Sequence, residues 1–201
     1  MNETRQPNDG RPEGTTSAPL NTEPQSRVPN FLAMGSSRQT DCGNFDIHIS
    51  RDGTWWYRGS PIGRMPLVKL FASVLRRDES GTYWLVTPVE RGQITVEDAP
   101  FTAVELTVTG EGPEQILVFR TNLDDNVSAD ENHPLRVDND KVTRAPNPYI
   151  LVRDGLEARL TRAVFYQLVD SGREERVGDA TLFGVWSKGK FFPLGSLDQN
   201  T

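Results

Sequence analysis

Cysteine is almost missing from this chain: Cys42 is the single one in 201 residues, which excludes an internal disulfide and fits a reducing compartment. Histidine is nearly as scarce. His48 and His133 stand far apart, with no Cys or His at ligand spacing, so the sequence offers no zinc site and no metal is expected. No apolar run approaches the roughly 18 residues of a membrane-crossing helix, and the first residues lack the apolar stretch of a signal peptide. These absences predict a cytoplasmic protein with no membrane association. Positive charge is in deficit too: 28 acidic against 22 basic side chains give a formal charge of −6, which would repel a phosphate backbone and argues against nucleic acid as a partner. No glycine-rich phosphate loop follows a strand and opens a helix; Gly110-Glu111-Gly112-Pro113 has too few glycines, so no cofactor is predicted.

The apolar share of 35% is low, and the shortage is local. Residues 1 to 40 are crowded with Asn, Gly, Pro, Thr, Ser, Gln and Glu, and hold almost nothing apolar before Val28, Phe31, Leu32 and Met34. Such a segment cannot offset its ordering entropy by burial, and a disordered tail is expected there. From about Asp41 to Leu197 the aromatics accumulate, and that length suffices for a core.

What is present is one pattern written twice. Phe45, Ile47 and Ile49 alternate with polar residues at the two-residue period of a strand, and Asp52-Gly53 supplies positive φ for a tight hairpin into Thr54-Trp55-Trp56-Tyr57. From Pro66 the period becomes helical, with Leu67, Val68, Phe71, Val74 and Leu75 on one face and Gly81 closing the segment. Strands over Tyr83 to Val89, Gln93 to Val96, Thr102 to Thr109 and Gln115 to Thr121 follow. The order returns roughly 100 residues later: Tyr149 to Val152, Arg153-Asp154-Gly155, a helix capped by Thr161 and carrying Val164, Phe165, Leu168 and Val169, then Leu182 to Trp186 and Phe191 to Leu194. Side-chain identity between the copies is poor, and chance recurrence of a common Asp-Gly turn is the plain alternative.

The expected fold class is therefore α+β, a duplicated unit of antiparallel strands packed on one helix. The expected divisions are a tail over residues 1–40, a first repeat over 41–121, an acidic Asn- and Pro-rich linker over 122–148 and a second repeat over 149–197. The seam between the repeats is where a ligand would be sought.

Catalytic and metal motifs fail one by one. Asp124, Asn126, Ser128 and Asp130 alternate like calcium-loop oxygens, but Ala129 and Leu135 occupy the positions that need Gly and Glu. Ser60 lacks a nucleophile elbow, and neither histidine relates to it as a triad partner. What remains are polar and aromatic residues at the ends of the repeated elements. Arg64 precedes the first helix, Thr87 and Glu90 close a strand, Arg153, Arg159 and Arg162 form a basic cluster, and Trp55, Tyr57 and Trp186 offer rings for stacking. Each has a bland reading as well, since hairpin aromatics usually pack in cores and turn charges are usually solvated.

Several runs do more. Cys42-Gly43, Arg51-Asp52-Gly53-Thr54-Trp55, Gly59-Ser60-Pro61-Ile62, Thr87-Pro88-Val89-Glu90, His133-Pro134-Leu135, Gly184-Val185-Trp186-Ser187 and Phe192-Pro193-Leu194-Gly195 together resemble the bacterial domain-of-unknown-function 1285 family, across nearly all of the predicted folded part. The chain departs from that pattern at Asn30-Phe31-Leu32-Ala33-Met34, where members carry a Trp-Pro-rich segment. The resemblance implies a duplicated α+β core, a second half like a pleckstrin-homology fold, an interdomain cleft for a nucleotide-like ligand and a role in signal transduction. Combined with the residues above, it leads to a sensing or binding module. In it Arg64 and Arg153 contact an anion, Thr87 and Glu90 hydrogen-bond, and Trp55 or Tyr57 stacks. Two rivals stand beside it: a hydrolase or transferase with Glu90 or Asp98 as general base, and a protein-interaction module.

Overall fold

The computed structural model describes residues 39–196. The tail expected over residues 1–40 lies outside them except for Gln39 and Thr40, and Thr40 already opens a strand. The fold is mostly β with two helices. Its first sheet holds β1 (Thr40–Ile49), β2 (Trp55–Tyr57), β3 (Ser60–Pro61), β4 (Leu75–Arg77), β5 (Tyr83–Val86) and β6 (Glu90–Val96), with α1 (Met65–Ser73) between β3 and β4. The second holds β7 (Phe101–Thr109), β8 (Ile116–Thr121), β9 (Asn126–Ser128), β10 (Leu135–Asn139), β11 (Pro146–Arg153) and β12 (Leu156–Leu160). After α2 (Arg162–Asp170), the strands β13 (Arg173–Val177), β14 (Ala180–Ser187) and β15 (Lys190–Ser196) form a separate meander.

The two large sheets share one plan. Their orders are β3-β2-β1-β6-β5-β4 and, read from the other edge, β9-β8-β7-β12-β11-β10. Each is two antiparallel three-stranded meanders joined by a parallel pairing of its first and last strands, β1 with β6 and β7 with β12. The layout is duplicated, but in a different phase from the recurring Arg-Asp-Gly motif. That motif joins the first and second strands of one sheet and the fifth and sixth of the other. The expected divisions shift accordingly. Strands β7 and β8 were expected in a first repeat over 41–121, yet they pair with β12 and with each other in the second sheet. The linker expected over 122–148 contributes β9 and β10, short strands hidden by their Asn and Asp content and by Pro134 just before β10.

Local differences have local causes. The helical segment expected from Pro66 up to a stop at Gly81 ends at Ser73, and the apolar Val74 and Leu75, equally compatible with a strand, turn into β4, where Leu75 pairs with Leu85. The two Asp-Gly turns also differ. Asp154 and Gly155 both have positive φ, as a two-residue hairpin with a primed turn requires. In the first hairpin only Gly53 does, closing a three-residue loop in which the Gly53 amide donates to Ser50 O at 2.9 Å and the Asp52 carboxylate accepts from the Thr54 amide at 3.0 Å. Thr161 caps α2 as expected, its hydroxyl oxygen accepting from the Val164 amide.

One apolar cluster runs through both halves, from Ile49, Trp55 and Leu75 to Phe119, Ile150 and Leu168. The interior of the seam is thus closed, and openings lie along its margins. Among the described residues no helix is long and apolar enough to cross a membrane.

Candidate functional site

The first hairpin plugs directly into the second half. Gly53 is buried, and its carbonyl accepts from Asn122 Nδ2 at 3.2 Å, while Asn122 Oδ1 accepts from the Thr102 amide at 3.1 Å. A Cβ on Gly53 would stand 2.8 Å from Asn122 Nδ2 and 3.2 Å from the Thr102 side chain, so only glycine permits this approach. The second hairpin reciprocates more loosely, the Gly155 carbonyl accepting from Arg77 of the first half at 3.4 Å.

Beside the Gly53 plug lies a groove. A recess of about 480 Å³ is lined by Arg51, Asp52, Thr102, Arg159, Thr161 and Arg162, the Asp52 carboxylate being engaged by the Ser50 hydroxyl and the Thr54 amide, and an adjoining one of about 460 Å³ shares Arg159 and Arg162 and adds Asn147, Phe165 and Tyr166. Arg51 comes from the first half, Arg159 is the last residue but one of β12, and Arg162 opens α2. The amides of a helix N-terminus favour an anion; that of Val164 is taken by the Thr161 hydroxyl, and those of Arg162 and Ala163 adjoin three guanidinium groups.

Asp98, in the joint between the sheets, partly balances that charge. It lies 3.2 Å from Arg159 Nη1 and 3.8 Å from Arg51 Nε, and Tyr149 Oη donates to it at 2.8 Å. Burial, followed by that hydrogen bond, pushes the Tyr149 phenol up to about 12, so it stays a donor across the physiological range. Arg162 is exposed and is in no ion pair among the described residues. Tyr166 is 59% exposed and lines the groove.

The six residues singled out from sequence do not meet at one place. Trp55 is 2% exposed and stacks on Phe71 with centroids 6.3 Å apart, so it is core and has no face for a ligand. Tyr57, Thr87 and Glu90 come together, on an apolar cavity of about 410 Å³ between α1 and the first sheet. Arg64 is exposed at the N-cap of α1 and lines neither groove nor cavity. Arg153 sits at another margin of the seam and is already engaged: it donates to Ala72 O at 2.8 Å, lies over the Phe101 ring at 5.1 Å and is 3.9 Å from Asp125. With Lys69, which donates to Asp124 at 2.7 Å, it ties α1 to the second sheet. Trp186 donates through Nε1 to Glu175 at 2.8 Å within the third sheet.

Sequence reasoning named Arg159 and Arg162 as a basic cluster but missed Arg51 as their neighbour, because only the pairing of the sheets brings the first hairpin to α2. The carboxylates weighed as general bases are also apart. Glu90 opens β6 and Asp98 follows its end, a separation on the order of 20 Å at the rise of a strand. Glu90 has Cys42 beside it, Sγ donating at 3.6 Å, but partial desolvation and then that carboxylate raise the thiol pKa, the opposite of what an activated thiolate requires.

A family model described as a domain of unknown function, DUF1285, N-terminal domain, matches residues 38–99, and one described as the DUF1285 C-terminal domain matches residues 100–194. Two crystal structures of DUF1285 family proteins are similar. One, from Silicibacter pomeroyi DSS-3, is 45% identical with a TM-score of 0.73, covering 80% of this chain and 85% of that one. Another, from Shewanella baltica OS155, is 27% identical with a TM-score of 0.50, covering 63% of this chain and 91% of that one. No curated protein matches the chain.

Proposed function

The chain belongs to the DUF1285 family, whose two domains meet here between residues 99 and 100, and from that premise we propose that it is a cytoplasmic sensing protein holding a small anionic, nucleotide-like ligand at the margin where the domains meet. The observation that carries this reading is the convergence of Arg51 from one half with Arg159 and Arg162 from the other, at the N-terminus of α2. Guanidinium groups match phosphate or carboxylate oxygens bidentately, and the helix amides add oriented donors. Thr102 and Thr161 supply hydroxyls, and Phe165 and Tyr166 supply a ledge for a planar ring. The anion thus goes to Arg51 and Arg162 rather than to Arg64 and Arg153.

A ligand bridging Arg51 and Arg162 would tighten the two halves against each other, which is how occupancy could be read out as a signal. The likeness of the second half to a pleckstrin-homology fold belongs to the same proposal, with α2 packed against β7 of a six-stranded sheet. The hydrolase or transferase reading, with Glu90 or Asp98 as general base, gains no second acid from the other carboxylate, which lies on the order of 20 Å away.

Thermal denaturation with inorganic phosphate and a panel of nucleotides tests the proposal. A ligand at 100 times its Kd adds about 2.7 kcal/mol, which at roughly 2–4 °C per kcal/mol for a domain of this size raises Tm by several degrees. The double variant Arg51→Ala, Arg162→Ala should keep the unliganded Tm, since both side chains are exposed, and lose the rise. If no anion raises Tm, or the double variant responds as the parent does, the reading fails.

A further inference from the structure

The apolar cavity of the first half shares no residue with the seam groove, and its chemistry is different. Its walls come from both layers of that half. Phe45 and Leu85 face it from the sheet, Leu67 and Phe71 from α1, and Tyr57, 44% exposed, stands at its mouth. Gly92 makes room for this wall: a Cβ there would lie 2.3 Å from Phe45 Cε2, so the Phe45 ring spreads across β6 only because Gly92 has no side chain.

Besides Tyr57, the polar lining groups are Thr87 and Glu90. The Thr87 hydroxyl is engaged, donating to Glu90 O at 3.0 Å and accepting from the Glu90 amide at 3.1 Å. That small turn fixes the backbone from which the Glu90 carboxylate projects at the rim. The neighbouring cation does not neutralise it. Arg91 donates through Nη2 to Asp41 at 2.9 Å and lies over the Trp84 ring at 4.9 Å, and among the described residues Glu90 is in no ion pair. Its hydrogen-bond partner is the Cys42 thiol, a weak donor held neutral by its raised pKa.

We propose that this cavity is a binding site for a small primary amine with a branched or aromatic apolar body, the body buried against Phe45, Phe71 and Leu85 and the ammonium held by Glu90. The volume lies within the range of sites that enclose small molecules. Charge complementarity selects the head group: a carboxylate at the rim of a hydrocarbon pocket, with no cation lining it, repels an anion and rewards an ammonium over a neutral isostere. A neutral ligand would bury the same body but leave Glu90 without its charged partner.

The test is isothermal titration of the full chain with 3-phenylpropylamine, n-hexylamine and tryptamine, each beside the matching alcohol and carboxylic acid. The amines are expected to bind, with the alcohols weaker by about ten-fold, the worth of a charge-assisted hydrogen bond, and the acids weaker still. Glu90→Gln should bring amine and alcohol to equal affinity, and Ile62→Trp, which fills the cavity from its lining, should abolish binding of both. Arg162→Ala should leave amine binding unchanged, so loss of the seam reading and loss of this one are separate results. No amine binding to the folded protein, equal binding of amine and alcohol by the parent chain, or amine affinity insensitive to both Glu90→Gln and Ile62→Trp overturns the assignment.

Discussion

Asp78 shows how one exposed side chain can organise a turn. Its carboxylate accepts from the Ser80 and Thr82 amides at 3.0 and 2.9 Å, from the Ser80 hydroxyl at 2.6 Å and from Trp84 Nε1 at 2.9 Å, which closes β4 onto β5. These bonds, those from Ser80 and Trp84 foremost, lower its pKa to about 2. A carboxyl whose folded pKa is depressed stabilises the fold above its unfolded value near 4, and that contribution disappears as pH falls through 2. Solvent screening keeps the effect small. Asp78→Asn should therefore flatten the dependence of Tm on pH between about 4 and 2; an unchanged slope would place the sensitivity elsewhere. At this scale the sequence was a partial guide. Trp55 and Tyr57 share parity on β2, so the alternation rule puts them on one face, yet Trp55 is core and Tyr57 is 44% exposed. Both do face α1, Tyr57 lining the cavity beside the Phe71 ring on which Trp55 stacks, and parity does not tell which of the two stands at the cavity mouth. Asp78 itself escaped notice because its fourth donor, Trp84, lies on the returning strand.

Elements were more legible than their partners. Both helices, the two Arg-Asp-Gly hairpins and most strands follow from period and turn chemistry, because those signals are local. Pairing is not local. The hairpin of β14 and β15 was expected to complete a second repeat, yet with β13 it forms its own sheet, joined to the rest by Val185 and Phe192 in the shared apolar cluster and by a few polar contacts. Ser187 is the chief of these: fully buried, its hydroxyl donates to Ala129 O at 2.7 Å and accepts from the Leu117 amide at 3.1 Å, while Gln115 Nε2 donates to Trp186 O at 3.0 Å. Ser187→Ala would leave a buried donor and a buried acceptor unpaired, at about 1–3 kcal/mol each. Urea titration should show a lower midpoint with an unchanged slope. A midpoint equal to that of the parent chain would mean the third sheet is held by its apolar contacts alone.

For the whole molecule, the two recurring turns make a controlled comparison. Gly53 and Gly155 both have positive φ, but Gly53 is buried against Asn122 and Thr102 whereas a Cβ on Gly155 meets open space. Gly155→Ala should cost about 1–2 kcal/mol, the strain of a left-handed alanine, and Gly53→Ala that amount plus about 1–3 kcal/mol of steric overlap. Equal Tm losses would show that the plug between the halves is not tight. The seam groove depends on the same contact, since Arg51 leaves the first hairpin two residues before Gly53. The candidate site was therefore only half readable: its arginines are visible in the chain, but their meeting depends on how two sheets of one plan are set together.

That plan has a further consequence. Because the opening and closing strands of each large sheet are neighbours that run the same way, the backbone leaves at the opposite end of the strands from where it arrived. Such a unit is built for concatenation: a second copy can follow with no return path, and here residues 97–100 suffice as the coupling. Closing one unit upon itself, as a circular permutant demands, would take a bridge along the full length of a strand. Tandem growth is thus the easy evolutionary route for this architecture, and every such coupling places a fresh concavity, like the one anchored on Asp98, where selection can act on it.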